Sequence, residues 1–188
     1  MSQLYSPLLP GPDSIRLVRL RPAEDETGPI ECDLIDYSLG ESSGTRHHYD
    51  ALSYVWGDPT KTRPIFVNGH RFNVRENLHA ALCSLRCRSI EWMWIDAIAI
   101  NQEDKQERGH QVRSMVRIYG RARRVIVWLG EAADNSDQAF EEIRKRKKWP
   151  DDSENETVRC AVVALLQRRW FRRTWVRVET LDKLDKYH

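Results

Sequence analysis

The sequence predicts an α/β layered fold with a mainly parallel central sheet and helices on both faces. Two observations carry this. From residue 49 onward, strand-like apolar runs alternate with helix-like patterns, the arrangement that builds such sheets. Within that region, residues 92–100 (Trp-Met-Trp-Ile-Asp-Ala-Ile-Ala-Ile) are apolar on both parities, as a strand buried on both faces of a parallel sheet requires. The run then gives way to a polar elbow, Asn101 and Gln102, and a helix.

The elements follow in order. Residues 1–13 hold three prolines and a glycine and read as irregular chain. Residues 15–21 alternate apolar and basic and read as a half-buried strand, with residues 30–39 as its antiparallel partner. Residues 40–44 form a loop. His47 and His48 point opposite ways in an extended chain and read as exposed rather than as a shared metal site. Residues 49–55 form the next strand, ending in the turn Trp56-Gly57-Asp58-Pro59. Residues 65–67 and 71–74 flank Asn68-Gly69, a hairpin with a type I′ turn. Asn73 and Glu76 have capping-box spacing for a helix that carries Leu78, Leu82 and Leu85 on one face.

The strand at residues 92–100 comes next. One residue breaks it: Asp96. A carboxylate there needs hydrogen-bond partners, and the backbone amides of Asn101 and Gln102, or Arg108, are the candidates. Asn101 with Asp104, and Asp104 with Glu107, are capping signals for a helix whose Val112, Met115, Val116 and Tyr119 recur at helical spacing. Arg108 either pairs with Asp104 on that helix or holds Asp96 or a ligand phosphate. Residues 124–129 are another buried strand, closed by Gly130. Residues 135–147 form a helix whose basic end, residues 144–148, complements the helix dipole. Residues 151–156 are an acidic linker. Thr157 caps a helix with Val158, Ala161, Val162, Leu165 and Leu166 inward.

Composition narrows the functional classes. At 188 residues the chain is one domain with an N-terminal extension, residues 1–48 and 49–188. Thirty Lys+Arg against 28 Asp+Glu leave a net charge of +2, which gives no general case for nucleic acid as a partner. No apolar run reaches membrane-spanning length, and the N-terminal residues, with no charged region followed by an apolar one, do not read as a signal peptide. The four cysteines lack C-x-x-C spacing and read as reduced thiols of a cytoplasmic protein, with no metal. The seven tryptophans are many for this length, and each is either a packing residue or a stacking surface for a ligand.

Three blocks carry a family resemblance. Residues 94–102, Trp-Ile-Asp-Ala-Ile-Ala-Ile-Asn-Gln, followed by Asp104, Glu107, Arg108, Gln111 and Val112, resemble the core signature of the fungal heterokaryon-incompatibility (HET) domain. Residues 49–57, Tyr-Asp-Ala-Leu-Ser-Tyr-Val-Trp-Gly, resemble its opening block. Residues 169–179, Arg-Trp-Phe-Arg-Arg-Thr-Trp-Val-Arg-Val-Glu, resemble its closing block. The family is similar in turn to Toll/interleukin-receptor (TIR) domains, through Ser53-Tyr54 and Trp175-x-x-x-Glu179. Members usually carry Cys at the position of Ala99 and Gln at that of Val178. They usually stand at the N-terminus of longer chains, and residues 180–188 read as the start of a further segment.

The resemblance implies fungal non-self recognition and programmed cell death. It also implies cleavage of NAD at the nicotinamide–ribose bond, with Glu179 as the catalytic carboxylate. That chemistry is self-consistent. The bond breaks through an oxocarbenium-like state, and the leaving group is already cationic, so a carboxylate near the ribose suffices without a general acid. The candidate catalytic residues are Glu179 and Asp96. The candidate nucleotide-binding residues are Ser53, Tyr54, Trp56, Gly57, Asn101, Gln102 and Arg108. NAD is then a substrate, with no cofactor permanently bound. The alternative is a non-catalytic signalling module acting by self-association or partner binding, with Glu179 a structural partner of Arg172 or Arg173. The catalytic reading requires the strands at residues 49–55 and 92–98 to be neighbours, so that their two polar elbows form one crevice.

Overall fold

The structure is a computed structural model that describes residues 4–8, 11, 13–22, 28–40, 48–88, 90–145 and 156–172. In chain order the strands are β1 (Ser14–Leu20), β2 (Glu31–Ser38), β3 (Asp50–Tyr54), β4 (Thr62–Val67), β5 (His70–Arg75), β6 (Met93–Trp94) and β7 (Arg124–Trp128). The helices are α1 (Glu76–Arg86), α2 (Asp96–Ala99), α3 (Lys105–Arg121), α4 (Ser136–Lys145) and α5 (Glu156–Leu166), with a 3₁₀ turn at Arg169–Arg172. The strands form one sheet in the order β5-β4-β2-β1-β6-β3-β7. The expected α/β architecture is present. β6, β3 and β7 run parallel, as do β2 and β4, whereas β1 is antiparallel to both its neighbours and β4–β5 is a hairpin.

Apolar side chains fill both faces of this sheet. On one face Leu78, Ala81, Leu82 and Leu85 of α1 pack with Val18, Leu52, Tyr54, Ile65 and Met93. On the other, Ile118 and Tyr119 of α3 pack with Ile15, Leu17, Tyr49, Ala51 and Trp94. The face alternates along β1 and β3, as the two-residue period of a strand requires. α4 and α5 form a smaller cluster of their own through Ala139, Ala161, Val162 and Leu165. β1 precedes residue 49 yet lies between β2 and β6, so it belongs to the middle of the sheet.

Several local expectations hold. The hairpin turn has φ of 49° at Asn68 and 77° at Gly69, the left-handed pair that a type I′ turn needs. The Asn68 amide also bonds both the N–H and the carbonyl of Leu34, fixing the hairpin to β2. Asp104 caps α3 by accepting from the N–H groups of Gln106 and Glu107.

Others are corrected. Residues 92–100 are not one strand: only Met93–Trp94 pair, and Asp96–Ala99 form a single helical turn. The run is apolar on every side because Ile98 enters one core cluster while Ala99 and Ile100 enter the other. On α3, Val112 and Val116 are 54% and 69% exposed, and the buried residues are Gln111, Ile118 and Tyr119. Gln111 is drawn inward because its Nε2 donates to the Ser14 carbonyl at 2.7 Å. Asn73 does not cap α1: it is paired with Pro64 inside β5, which runs straight into the helix, and the N-cap position falls on Arg75. β7 is half-buried because it is the sheet edge. β1 is buried on both faces rather than half-buried, with Arg16 only 2% exposed.

Two buried charges organise the fold. Arg16 in β1 donates to both carboxylate oxygens of Glu107 (2.6 and 3.1 Å), to the Ala99 carbonyl (3.1 Å) and to the Ser6 carbonyl (2.7 Å). Asp50, fully buried at the start of β3, accepts from Arg123 (2.9 and 3.0 Å) and Arg124 (3.1 Å), whose side chains are themselves exposed. In both, a charge in an apolar strand is stabilised by a bidentate guanidinium–carboxylate pair. The pairing holds the Arg123 guanidinium above its ordinary range.

Candidate functional site

The site forms where the parallel strands β3 and β6 end. Their register pairs Asp50 with Met93 and Ala51 with Trp94, so the segments that follow them emerge side by side. β3 is followed by Val55, Trp56 and Gly57. Gly57 sits at φ +79°, a conformation a side chain would strain. Its carbonyl accepts from Arg75 Nη1 at 2.8 Å, and the Arg75 guanidinium lies 4.9 Å over the Trp56 ring. β6 is followed by α2 and then Asn101–Gln102.

Indole donors tie the pieces together. Trp56 Nε1 donates to Asp96 Oδ2 at 2.7 Å. The other oxygen of Asp96 accepts from its neighbouring Ala97 N–H, also at 2.7 Å. Gln102 Nε2 reaches back to the Asp96 carbonyl at 3.0 Å. On the far side of β3, Trp170 Nε1 donates to the buried Ser53 Oγ at 3.0 Å. Trp56 therefore links the first sequence block to the second, and Trp170 links the third to the first. The elbow after β6 is also braced from below, because Glu107, held by Arg16, accepts from the Asn101 N–H at 2.7 Å.

Between the two elbows lies a cleft of about 520 Å³. Tyr54, Trp56, Asn101 and Gln102 line it, with Glu103 beyond them, and β5 and Tyr5 form the rest of its wall. Tyr5 is fixed there by donating its hydroxyl to the Ile98 carbonyl at 2.9 Å, and burial pushes that phenol up to about 12, so it remains a donor at neutral pH. A second cleft, of about 380 Å³, opens on the other side of the elbow between Gly57, Asn77, Trp128 and Trp170.

Four of the nine residues singled out from sequence thus share one cleft: Tyr54, Trp56, Asn101 and Gln102. Asp96 is 7% exposed and does not line the cleft; it acts on it by holding Trp56. It is buried and hydrogen-bonded as its place in the run demanded, but through Trp56 and Ala97 rather than through the amides of Asn101 and Gln102 or through Arg108. Gly57 lines the second cleft, and Ser53 is buried and lines neither, accepting from Trp170, which lines the second. Arg108 is exposed on α3 and lines neither. One face of Trp56 is already covered by Arg75, so the pair offers a ligand the guanidinium plane as well as the ring. Glu179 and Trp175 lie outside the described residues.

As site residues, sequence reasoning missed Arg16, Asp50 and Tyr5, and it placed the strand at residues 71–74 without its role as a wall of the cleft. For Asp50 the signal existed, a lone charge inside an apolar strand, the same signal that singled out Asp96, whereas Arg16 is one of three arginines in an alternating apolar and basic strand. Among the described residues no group of His, Cys, Asp and Glu can hold a metal ion, and no helix is long and apolar enough to cross a membrane.

Comparison with known proteins bears on this site. Residues 49–179 match the family described as "Heterokaryon incompatibility protein (HET)", a span that includes both elbows and β5. "Heterokaryon incompatibility protein 6, OR allele" of Neurospora crassa is 36% identical over 143 residues, which cover 69% of this chain and 20% of that protein. The chain therefore spans about a fifth of the length of that relative. No solved structure matches.

Proposed function

The chain belongs to the heterokaryon incompatibility (HET) family, and from that premise we propose that it is the effector domain of a fungal non-self recognition protein that triggers cell death in the cytoplasm by cleaving NAD. The single observation that carries the reading is the convergence of the elbows after β3 and β6 on one cleft, lined by Trp56, Asn101 and Gln102. Crevices at the carboxyl ends of adjacent parallel strands are where nucleotides bind in open α/β sheets. The volume suits a small ligand.

In this reading the ligand's rings lie against the Trp56–Arg75 pair, and the amides of Asn101 and Gln102 receive ribose hydroxyls. The bond between ribose C1′ and the nicotinamide nitrogen breaks, and its electron pair neutralises the pyridinium. The Glu179 carboxylate stabilises the oxocarbenium charge left on the ribose. Water adds to C1′ and releases a proton. Asp96 contributes by fixing Trp56 rather than by touching the ribose.

The test is nicotinamide release from NAD by the full chain. The wild-type protein is expected to release it, and Glu179→Gln to lose at least about 100-fold in rate, the size of an electrostatic contribution to such a transition state. Release that is unchanged in Glu179→Gln removes this residue from the mechanism. No release by wild type at high protein concentration removes the reaction.

A second reading has its own observation. Val112 and Val116 stand one turn apart on the exposed side of α3, an apolar pair beside Arg108 and Arg113. A module that kills by self-association rather than catalysis would use such a surface. Killing that survives Glu179→Gln and is lost in Val116→Glu selects that reading.

A further inference from the structure

The hairpin strand β5 was read from sequence only as the second strand of a hairpin, yet all six of its residues, His70–Arg75, line the cleft. It is the edge strand of the sheet, and exposed charge on an edge strand commonly serves to prevent pairing with other chains. That explains charge on β5 but not the form of the wall. Arg75 is not a solvated edge residue: the Gly57 carbonyl and the Trp56 ring hold it in place. Arg71, four residues away on the same strand, is exposed, and among the described residues its guanidinium makes no hydrogen bond or ion pair. One cation is thus preorganised and one is uncommitted, on the same strand and the same cleft. Among the residues lining the cleft, Glu103 is the carboxylate, and it is contributed by the segment after Gln102 rather than by β5. The cleft therefore has a basic wall, an acidic rim, and Tyr5, Tyr54 and Trp56 as aromatic lining.

We propose that β5 is the phosphate-recognising wall of the cleft, with Arg71 and Arg75 receiving the diphosphate of a nucleoside-diphosphate ligand. This rests on the reading of the cleft as a nucleotide site and assigns the part of the ligand that the reaction does not touch. A guanidinium presents paired N–H donors that match phosphate oxygens bidentately, and two of them suit the two negative charges of a diphosphate. The ligand class is accordingly a nucleoside diphosphate or a dinucleotide joined through one, in preference to a nucleoside or a free base.

The experiment is a calorimetric titration of the full chain with ADP-ribose and, separately, with adenosine, using wild type, Arg71→Glu and Arg71→Lys. Among the described residues the Arg71 guanidinium has no partner to lose, so the variants are expected to keep the wild-type thermal midpoint. ADP-ribose should bind wild type at least about tenfold more tightly than adenosine does, with affinity falling as salt rises. Arg71→Glu should lose at least about tenfold for ADP-ribose and nothing for adenosine, and Arg71→Lys should recover part of the loss. Equal ADP-ribose affinity in wild type and Arg71→Glu overturns the proposal, as does NAD cleavage with an unchanged KM in Arg71→Glu; in either case the reaction itself can stand. Arg71-dependent ADP-ribose binding by a protein that releases no nicotinamide has the opposite meaning: the diphosphate wall stands and the cleavage reaction falls. Absence of both ADP-ribose binding and nicotinamide release overturns both.

Discussion

Arg16→Met is expected to destabilise the domain by about 3–5 kcal/mol, measured as a shift in the urea midpoint at constant slope. Arg16 is 2% exposed, and its guanidinium occupies both oxygens of Glu107 and two backbone carbonyls. Met matches the aliphatic stem but provides no donor. Glu107 is then left almost buried with only the Asn101 N–H and no cation, which is the costly way to break an ion pair. The paired replacement Arg16→Met with Glu107→Gln should recover part of the loss, because the uncompensated charge is gone. A single variant as stable as wild type would show that Glu107 is solvated and that the pair does not brace the elbow. The effect should also reach the cleft, since Glu107 is what holds the Asn101 N–H.

Asp96→Ala should cost about 3 kcal/mol and weaken nucleotide binding. The hydrogen bonds from Trp56 and Ala97 to a buried carboxylate are lost, each in the range of about 1.5–3 kcal/mol for a charged acceptor, with some recovery as the chain relaxes. The cost has a functional half, because the Trp56 indole N–H loses its acceptor and the ring its anchor. Asp96→Asn separates the two. It keeps the shape and an acceptor oxygen for Trp56, so it should lose roughly half as much stability and retain more binding. Thermal unfolding and ADP-ribose titration of both variants check this. A fully stable Asp96→Ala would mean that Trp56 is held by packing and by Arg75 alone.

The sequence and the structure agree where the physics is local or strongly periodic. Asn68-Gly69 forced the hairpin turn because both positions need left-handed backbone. The leucines of α1 faced the core because they recur at helical spacing. The lone charge in an apolar run marked Asp96 as buried, and the same logic extends to Asp50, while Arg16 was hidden among the alternating basic residues of its strand. Partners themselves were not legible. Trp56 and Asp96 are 40 residues apart and Trp170 and Ser53 are 117 apart, and nothing in a single sequence says which indole meets which oxygen. The apolar run at residues 92–100 misled because continuous burial has no period, so a strand and a helical turn look alike in it. The α3 face misled because Val112 and Val116 carry the apolar spacing while Gln111 takes the buried place through its bond to Ser14. β5 went unread as a cleft wall because Arg71 and Arg75 look like ordinary edge-strand charges until the fold sets them opposite Asn101 and Gln102.

The most direct measurement is hydrogen–deuterium exchange of the full chain with and without carba-NAD, an analogue whose nicotinamide bond is not hydrolysed. If the two elbows and the hairpin form one nucleotide site, saturation should slow exchange in the peptides that carry residues 54–57, 70–75 and 97–103. The exposed side of α3 around Val112 and Val116 should exchange as before. Protection confined to α3, or no protection near Trp56 and Asn101 at saturating ligand, would contradict the assignment of the cleft between β3 and β6 as the site of nucleotide binding.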